Sequence, residues 1–149
     1  MGLQEDIMTA LKNAMKAKDQ TVLTALRAVK SAIILAKTET GAGDELSEEQ
    51  ELKILQKQVK QRKDSAAVYL EQGREDLASP ELAEAEIISQ FLPEALTEEE
   101  ITKVVVATIE QVGAEGMKDM GKVMGMVSKQ LAGQADGKTI SNIVKANLS

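Results

Sequence analysis

The 149-residue chain holds no Cys, His or Trp and a single Tyr, Tyr69, so any reaction it performs must use carboxylates, hydroxyls, lysines or that phenol. Cysteine nucleophiles, histidine bases and Cys/His zinc sites are excluded by composition. Paired carboxylates are plentiful in "SEEQE", "EAEI" and "TEEE", the arrangement that general acid and base chemistry uses. All three runs fall at helix starts or on polar faces, where acids complement the helix dipole without any catalytic purpose. Ser128 and Lys129 offer a hydroxyl beside an amine, yet neighbours in a helix point to different faces and cannot act together. No catalytic residue, no metal ligand set and no cofactor site follow from these residues.

Binding chemistry is better represented, and it concentrates in "MGKVMGMVSKQLAGQADGKTISNIVK" over residues 120–145. Gly121, Gly125, Ser128 and Ala132 recur at i, i+4, i+7 and i+11, a helix face made of small residues, with Lys122 and Lys129 at its border. A glycine in a helix interior costs about 0.8–1 kcal/mol relative to alanine, so something must approach that face closely. Another helix of the same domain and the backbone of a ligand both satisfy this requirement. Next, "GQADGK" places Gly133, Asp136, Gly137 and Lys138 in a turn that opens a helix, where free N–H groups and the dipole favour an anion. A simple interhelical turn with an exposed lysine reads equally well. The turn lacks the Gly, Lys, Ser/Thr spacing of a P-loop and no strand precedes it, which argues against nucleotide hydrolysis.

Charge supports the same segment. The net charge is −6, but residues 117–149 carry five Lys against Asp119 and Asp136, a local +3, leaving −9 on the rest. A second basic feature, Lys53, Lys57, Lys60 and Lys63, repeats at helical spacing and reads either as a phosphate-facing stripe or as a solvated face. Arg27, Arg62 and Asp64 are candidates for ion pairs between the second and third helices. Aromatic residues make up 1% of the chain, which removes the stacking platform of single-strand binders.

These residues must be positioned by helices. Apolar positions recur at helical spacing, as in Leu3, Ile7, Leu11, Ala14 and in Val22, Leu26, Val29, Ile33, and no stretch alternates with period two. Asp19 is expected to cap the second helix, and residues 38–46 to form a loop. Ser47 and Gln50 form a capping box opening a long helix that ends near Gln72 with Gly73 as its left-handed stop. Ser79 and Pro80 predict a helix from 80 to about 90, because proline suits a first helical position and opposes an interior one. "FLP" at 91–93 marks a boundary, and Thr97 with Glu100 forms a second capping box. Beyond Gly113, Asp119 is expected to cap a helix from Met120 to about Ala132, and Asp136 a last one. The expectation is an all-α chain: an N-terminal bundle of about four helices over 1–93 and a three-helix C-terminal domain over 94–149.

No apolar run reaches the roughly 20 residues that span a bilayer, and the charged N-terminus is unlike a signal peptide, so a cytoplasmic location and no membrane partner are expected. Taken together, "LTALRAVKSAI", "KQVKQRKDSAAVY", "FLPEALTEEEI" and "DMGKVMGMVSKQLAGQADGKTISNIVKANL" resemble the YqeY family over essentially the whole chain. The members known by that name are small bacterial proteins similar to the C-terminal tail domain of the B subunit (GatB) of glutamine-dependent tRNA amidotransferase. The resemblance implies an all-helical, two-part architecture and a noncatalytic module that binds tRNA or another folded RNA. Carried over residue by residue, it implies contacts from Gly121, Lys122, Gly125, Gly133, Asp136, Gly137, Lys138 and Ser141, to which the local reading adds Lys129. Two alternatives remain at this level: a component of glutamine-dependent amide transfer acting with partner subunits, and a helical adaptor for a protein partner.

Overall fold

The computed structural model describes residues 2–40 and 46–149. The helical spacing is realised as seven α-helices, with no strand among the described residues, so the chain is all-α. By compactness it divides into two units, Met1–Leu92 and Pro93–Ser149.

The first unit contains α1 (Leu3–Ala17), α2 (Gln20–Thr40), α3 (Glu48–Glu71) and α4 (Glu75–Ser89). Ile7, Leu11 and Ala14 of α1 meet Leu23, Leu26, Val29 and Ile33 of α2, with Leu55 and Val59 of α3 and Ala85 and Ile88 of α4 completing an aliphatic core. Between α1 and α2, Lys18 takes a left-handed φ of 57°, and Asp19 caps α2 by accepting the Val22 N–H at 3.2 Å. Residues 38–40 belong to α2 rather than to the expected loop, of which 41–45 lie outside the described residues. The Ser47 box forms as read: the Gln50 N–H donates to Ser47 Oγ at 3.2 Å, and the Ser47 N–H to Gln50 Oε1 at 2.8 Å. One polar network ties three helices of this unit together. Lys37 Nζ donates to Gln4 Oε1 at 2.8 Å, and Gln4 Nε2 donates to the buried Glu51 at 3.1 Å.

At its far end α3 closes with Gly73 at φ 72°; the Arg74 N–H reaches the Tyr69 carbonyl at 2.8 Å and the Gly73 N–H the Leu70 carbonyl at 3.1 Å. This double bond pattern is the glycine-terminated helix stop. The chain then enters α4 at Glu75, not at Pro80, which corrects the expected start. Pro80 sits inside the helix, because the buried Ala78 holds the first turn of α4 against α3, and this packing overrides the local preference. Arg74 grips Asp76 through two 3.0 Å hydrogen bonds and holds its exposed carboxyl below the usual carboxylate range. Arg62 pairs with Glu84 of α4 at 3.2 Å and Asp64 with Lys60 in its own helix at 2.8 Å, so neither bridges α2 and α3.

The second unit contains α5 (Glu98–Val112), α6 (Met120–Gln130) and α7 (Gly137–Leu148). The Thr97 box caps α5, with the Glu100 N–H on Thr97 Oγ1 at 3.2 Å, and Gly113 ends it at φ 66°. Ile101 and Val105, Val123 and Val127, Leu131, then Ile140, Val144 and Leu148 make the second core. Thr108 is buried there, its hydroxyl satisfied by the Val104 carbonyl at 2.8 Å.

Candidate nucleic-acid interface

Helix α6 turns Val123 and Val127 into the core and half-buries Met120 and Met124, which leaves Gly121, Lys122, Gly125 and Lys129 on its exposed side. A β-carbon built at Gly121 or at Gly125 meets nothing within 4 Å. No helix of the same unit packs on this face, so the intradomain-packing explanation for the glycines does not hold. Two details of the expected helix also change. Asp119 makes no cap of α6; its carboxylate accepts the Glu115 N–H at 3.0 Å within a short 3-10 turn, Met117–Asp119. The helix ends at Gln130, so Ala132 falls outside it and the small-residue face consists of Gly121, Gly125 and the half-buried Ser128.

The turn between α6 and α7 is built by Gly133 at φ 80°, a left-handed conformation that a side chain would oppose. It is anchored to the segment before α5, where the Leu96 N–H donates to the Gln134 carbonyl at 3.0 Å. Asp136 then caps α7: its Oδ1 accepts the Thr139 N–H at 2.8 Å and its Oδ2 the Thr139 hydroxyl at 3.1 Å. The protein's own carboxylate therefore takes up part of the anion-favouring end of α7. Gly137 is the first residue of the helix, without a positive φ and with open space where a β-carbon would sit, so turn geometry does not require it. Lys138 is exposed in the first turn and Ser141 is half-buried one turn on.

The lysines make this surface distinctive. Lys118, Lys122, Lys129, Lys138 and Lys145 are all exposed and none forms an ion pair with a described residue. Both acids of the segment are engaged at backbone N–H groups, Asp119 at Glu115 and Asp136 at Thr139. Lys118 and Lys145 count in the local charge but are missing from the residues that motif and spacing single out; the signal that could have found them is the same +3. On α3, by contrast, Lys53 pairs with Glu49 at 3.3 Å and Lys60 with Asp64 at 2.8 Å, the pattern of a solvated helix face. Among the described residues no group of three or more acids is placed to hold a metal ion. What α6 and α7 offer chemically is several exposed ammonium groups that form no ion pair with a described residue, together with the exposed Gly121 and Gly125 on α6.

The match to known sequences runs along nearly the whole chain: the model for "Yqey-like protein" covers residues 4–148. The chain belongs to the Yqey-like family. Among curated relatives, a protein of Pyrenophora tritici-repentis named "Altered inheritance of mitochondria protein 41, mitochondrial" is 30% identical over 139 residues, covering 91% of this chain and 75% of that one. Its namesake in Clavispora lusitaniae is 34% identical over 132 residues, covering 87% and 74%. A much longer relative, one of the glutamyl-tRNA(Gln) amidotransferase subunits of Thermococcus gammatolerans, is 32% identical over 73 residues, which is 46% of this chain and 12% of that one. The expectation of a cytoplasmic protein is overturned by the fungal relatives of this Yqey-like chain, which are named as mitochondrial. Freedom from long apolar runs, on which that expectation rested, does not distinguish one aqueous compartment from another.

Proposed function

We propose that this Yqey-like protein is a noncatalytic module that binds tRNA or a similarly folded RNA through α6 and α7. The observation that carries the reading is the open glycine face of α6, bordered by Lys122 and Lys129, for which the fold supplies no packing partner. Folded RNA is recognised largely by shape, phosphate and 2′-hydroxyl, so a site without aromatic residues suits it. Gly121 and Gly125 allow close approach of a sugar-phosphate backbone, Lys122, Lys129 and Lys138 meet phosphates, and Gly133 sets the turn that brings α7 alongside. Asp136 contributes by capping α7 rather than by touching phosphate.

Filter binding of the full chain with a panel that includes mitochondrial tRNA tests this. Binding that weakens with salt and falls in a Lys122→Glu, Lys138→Glu double variant is expected; no binding at low salt removes the reading. The match to an amidotransferase component favours a second reading, a helper of glutamine-dependent amide transfer. Transamidation by an amidotransferase assayed with and without this chain tests it, and an unchanged rate excludes it.

A further inference from the structure

The −9 of residues 1–116 is unevenly spread. Residues 7–38, which hold most of α1 and α2, carry six bases against Asp19 alone, a local +5. Asp19 is taken up as the α2 cap, and Lys37 by Gln4. Lys12, Lys16, Lys18, Arg27 and Lys30 are exposed and form no ion pair with a described residue.

Among these cations stand three exposed aliphatic side chains: Met8 at 40%, Met15 at 52% and Ile34 at 54% exposure. Their placement joins them. Two residues link α1 to α2, and the 2.8 Å bond from Lys37 Nζ to Gln4 Oε1 closes the far end, so the pair is antiparallel with Gln4 and Lys37 on its seam. At about 100° per residue, Gln4, Met15, Met8, Lys12 and Lys16 succeed one another within about 120° of rotation around α1. Lys37, Lys30, Ile34 and Arg27 succeed one another in the same rotational sense within about 80° around α2. In antiparallel neighbours, arcs that open in the same sense from a shared seam lie on the same side of the pair. The methionines and lysines of the α1 arc therefore share one surface with Lys30, Ile34 and Arg27 of α2. Glu5, in the first turn of α1, is the one described acid within either arc.

We propose that this face of the α1–α2 hairpin binds the surface of an anionic phospholipid membrane, with Met8, Met15 and Ile34 seated at the acyl boundary and the lysines and Arg27 on headgroup phosphates. Apolar side chains interleaved with cations are the make-up of helices that lie in a membrane interface, and the stems of Lys and Arg add apolar contact. Folded RNA presents mainly sugar and phosphate, which matches the cations but leaves the three aliphatic side chains on polar groups. A single acidic helix of a partner offers one line of charge, whereas these cations are spread over two helices. The expectation of no membrane partner rested on short apolar runs; no described helix is long and apolar enough to cross a bilayer, and a hairpin lying on its surface does not need one. Residues 39–92 of the same unit hold 13 acids and six bases, a net −7, so an anionic surface attracts the hairpin and repels the rest of the unit, which favours one orientation. The site lies in the first unit and stands whether or not α6 and α7 bind RNA.

The test sediments the full chain with vesicles of phosphatidylcholine alone and of phosphatidylcholine mixed with phosphatidylglycerol. Binding to the anionic vesicles alone, weakened by salt, is expected. Lys12→Gln with Lys30→Gln should weaken it about 25-fold, since each cation close to an anionic membrane contributes about fivefold. Met8→Ser with Met15→Ser should weaken it several-fold and remove the part that persists at high salt, and Lys122→Glu with Lys138→Glu should leave it nearly unchanged. Circular dichroism checks that the variants remain folded. Where one does not, a photoreactive phosphatidylglycerol on the unaltered chain decides: crosslinks within α1 and α2 support the proposal and crosslinks elsewhere overturn it. No binding to anionic vesicles, equal binding to neutral ones, or indifference to the hairpin variants also overturns it. So does binding of tRNA or of an acidic Leu/Glu peptide that the Lys12 and Lys30 substitutions abolish without affecting the vesicles.

Discussion

At Gly125, in the interior of α6, a β-carbon would meet open space, so the missing methyl group serves no neighbour within the fold. Alanine there is expected to raise stability by about 0.5–1 kcal/mol, read as a higher urea midpoint, since glycine is the poorer helix former by that order. The same Gly125→Ala variant should bind tRNA more weakly if the glycine serves close approach of the RNA backbone; a stability gain with unchanged affinity takes the residue out of the site. Gly121 lies in the first turn, where propensity counts less, and its gain should be smaller. Lys18 offers a parallel case outside the proposed site: its φ of 57° suits glycine, and Lys18→Gly is expected to stabilise by about 0.5–1 kcal/mol in the same assay. The periodicity of residues 121–128 showed which residues share a face. It could not show what lies opposite, because spacing along one helix carries no information about its neighbours. Asp136 was legible as a cap from its place before α7, whereas its occupation of the helix end that favours an anion became visible only with the 2.8 Å bond to the Thr139 N–H.

Helix boundaries were legible wherever a local rule was sufficient. Ser47 with Gln50, Thr97 with Glu100, and the glycines at 73 and 113 all act where their chemistry placed them, since both partners of each motif lie within one turn. Replacing Thr97 by Ala removes the acceptor for the Glu100 N–H and is expected to lower stability by about 1 kcal/mol, measured by thermal or urea unfolding. Pro80 shows where local rules fail. Proline favours a first helical position, yet Ala78 is buried and the helix begins five residues earlier, so packing of α4 on α3 tolerates a proline that local chemistry opposes. Its ring withholds the N–H that would bond to the Asp76 carbonyl. Pro80→Ala should therefore stabilise by about 2 kcal/mol, less than the full proline penalty because alanine also frees the unfolded chain. A loss of stability in that variant would mean that Pro80 is itself required for α4 to follow α3.

Across the whole molecule, the charge is divided so that, on the proposed RNA-binding reading, affinity would have to come from few contacts against general repulsion. The chain carries −6 in total, with +3 confined to residues 117–149 and −9 elsewhere. Composition alone made this division legible, but not that every lysine of the basic segment is exposed while both its acids are held at backbone N–H groups. Each phosphate neutralised releases counterions and contributes about −0.7 to −0.9 to the slope of log affinity against log salt. Three to five of the exposed lysines in contact thus predict a slope between about −2 and −4.5. Lys122→Glu should reduce its magnitude by about one and weaken binding to every folded RNA alike, because phosphate contacts carry no base identity. On the same reading the acidic remainder opposes the approach of RNA through its net charge, an effect expected to be clearest at low salt, where the Debye length is greatest. Measured slopes near zero with binding retained would assign the affinity to uncharged contacts at the glycine face and remove the lysines from the interface.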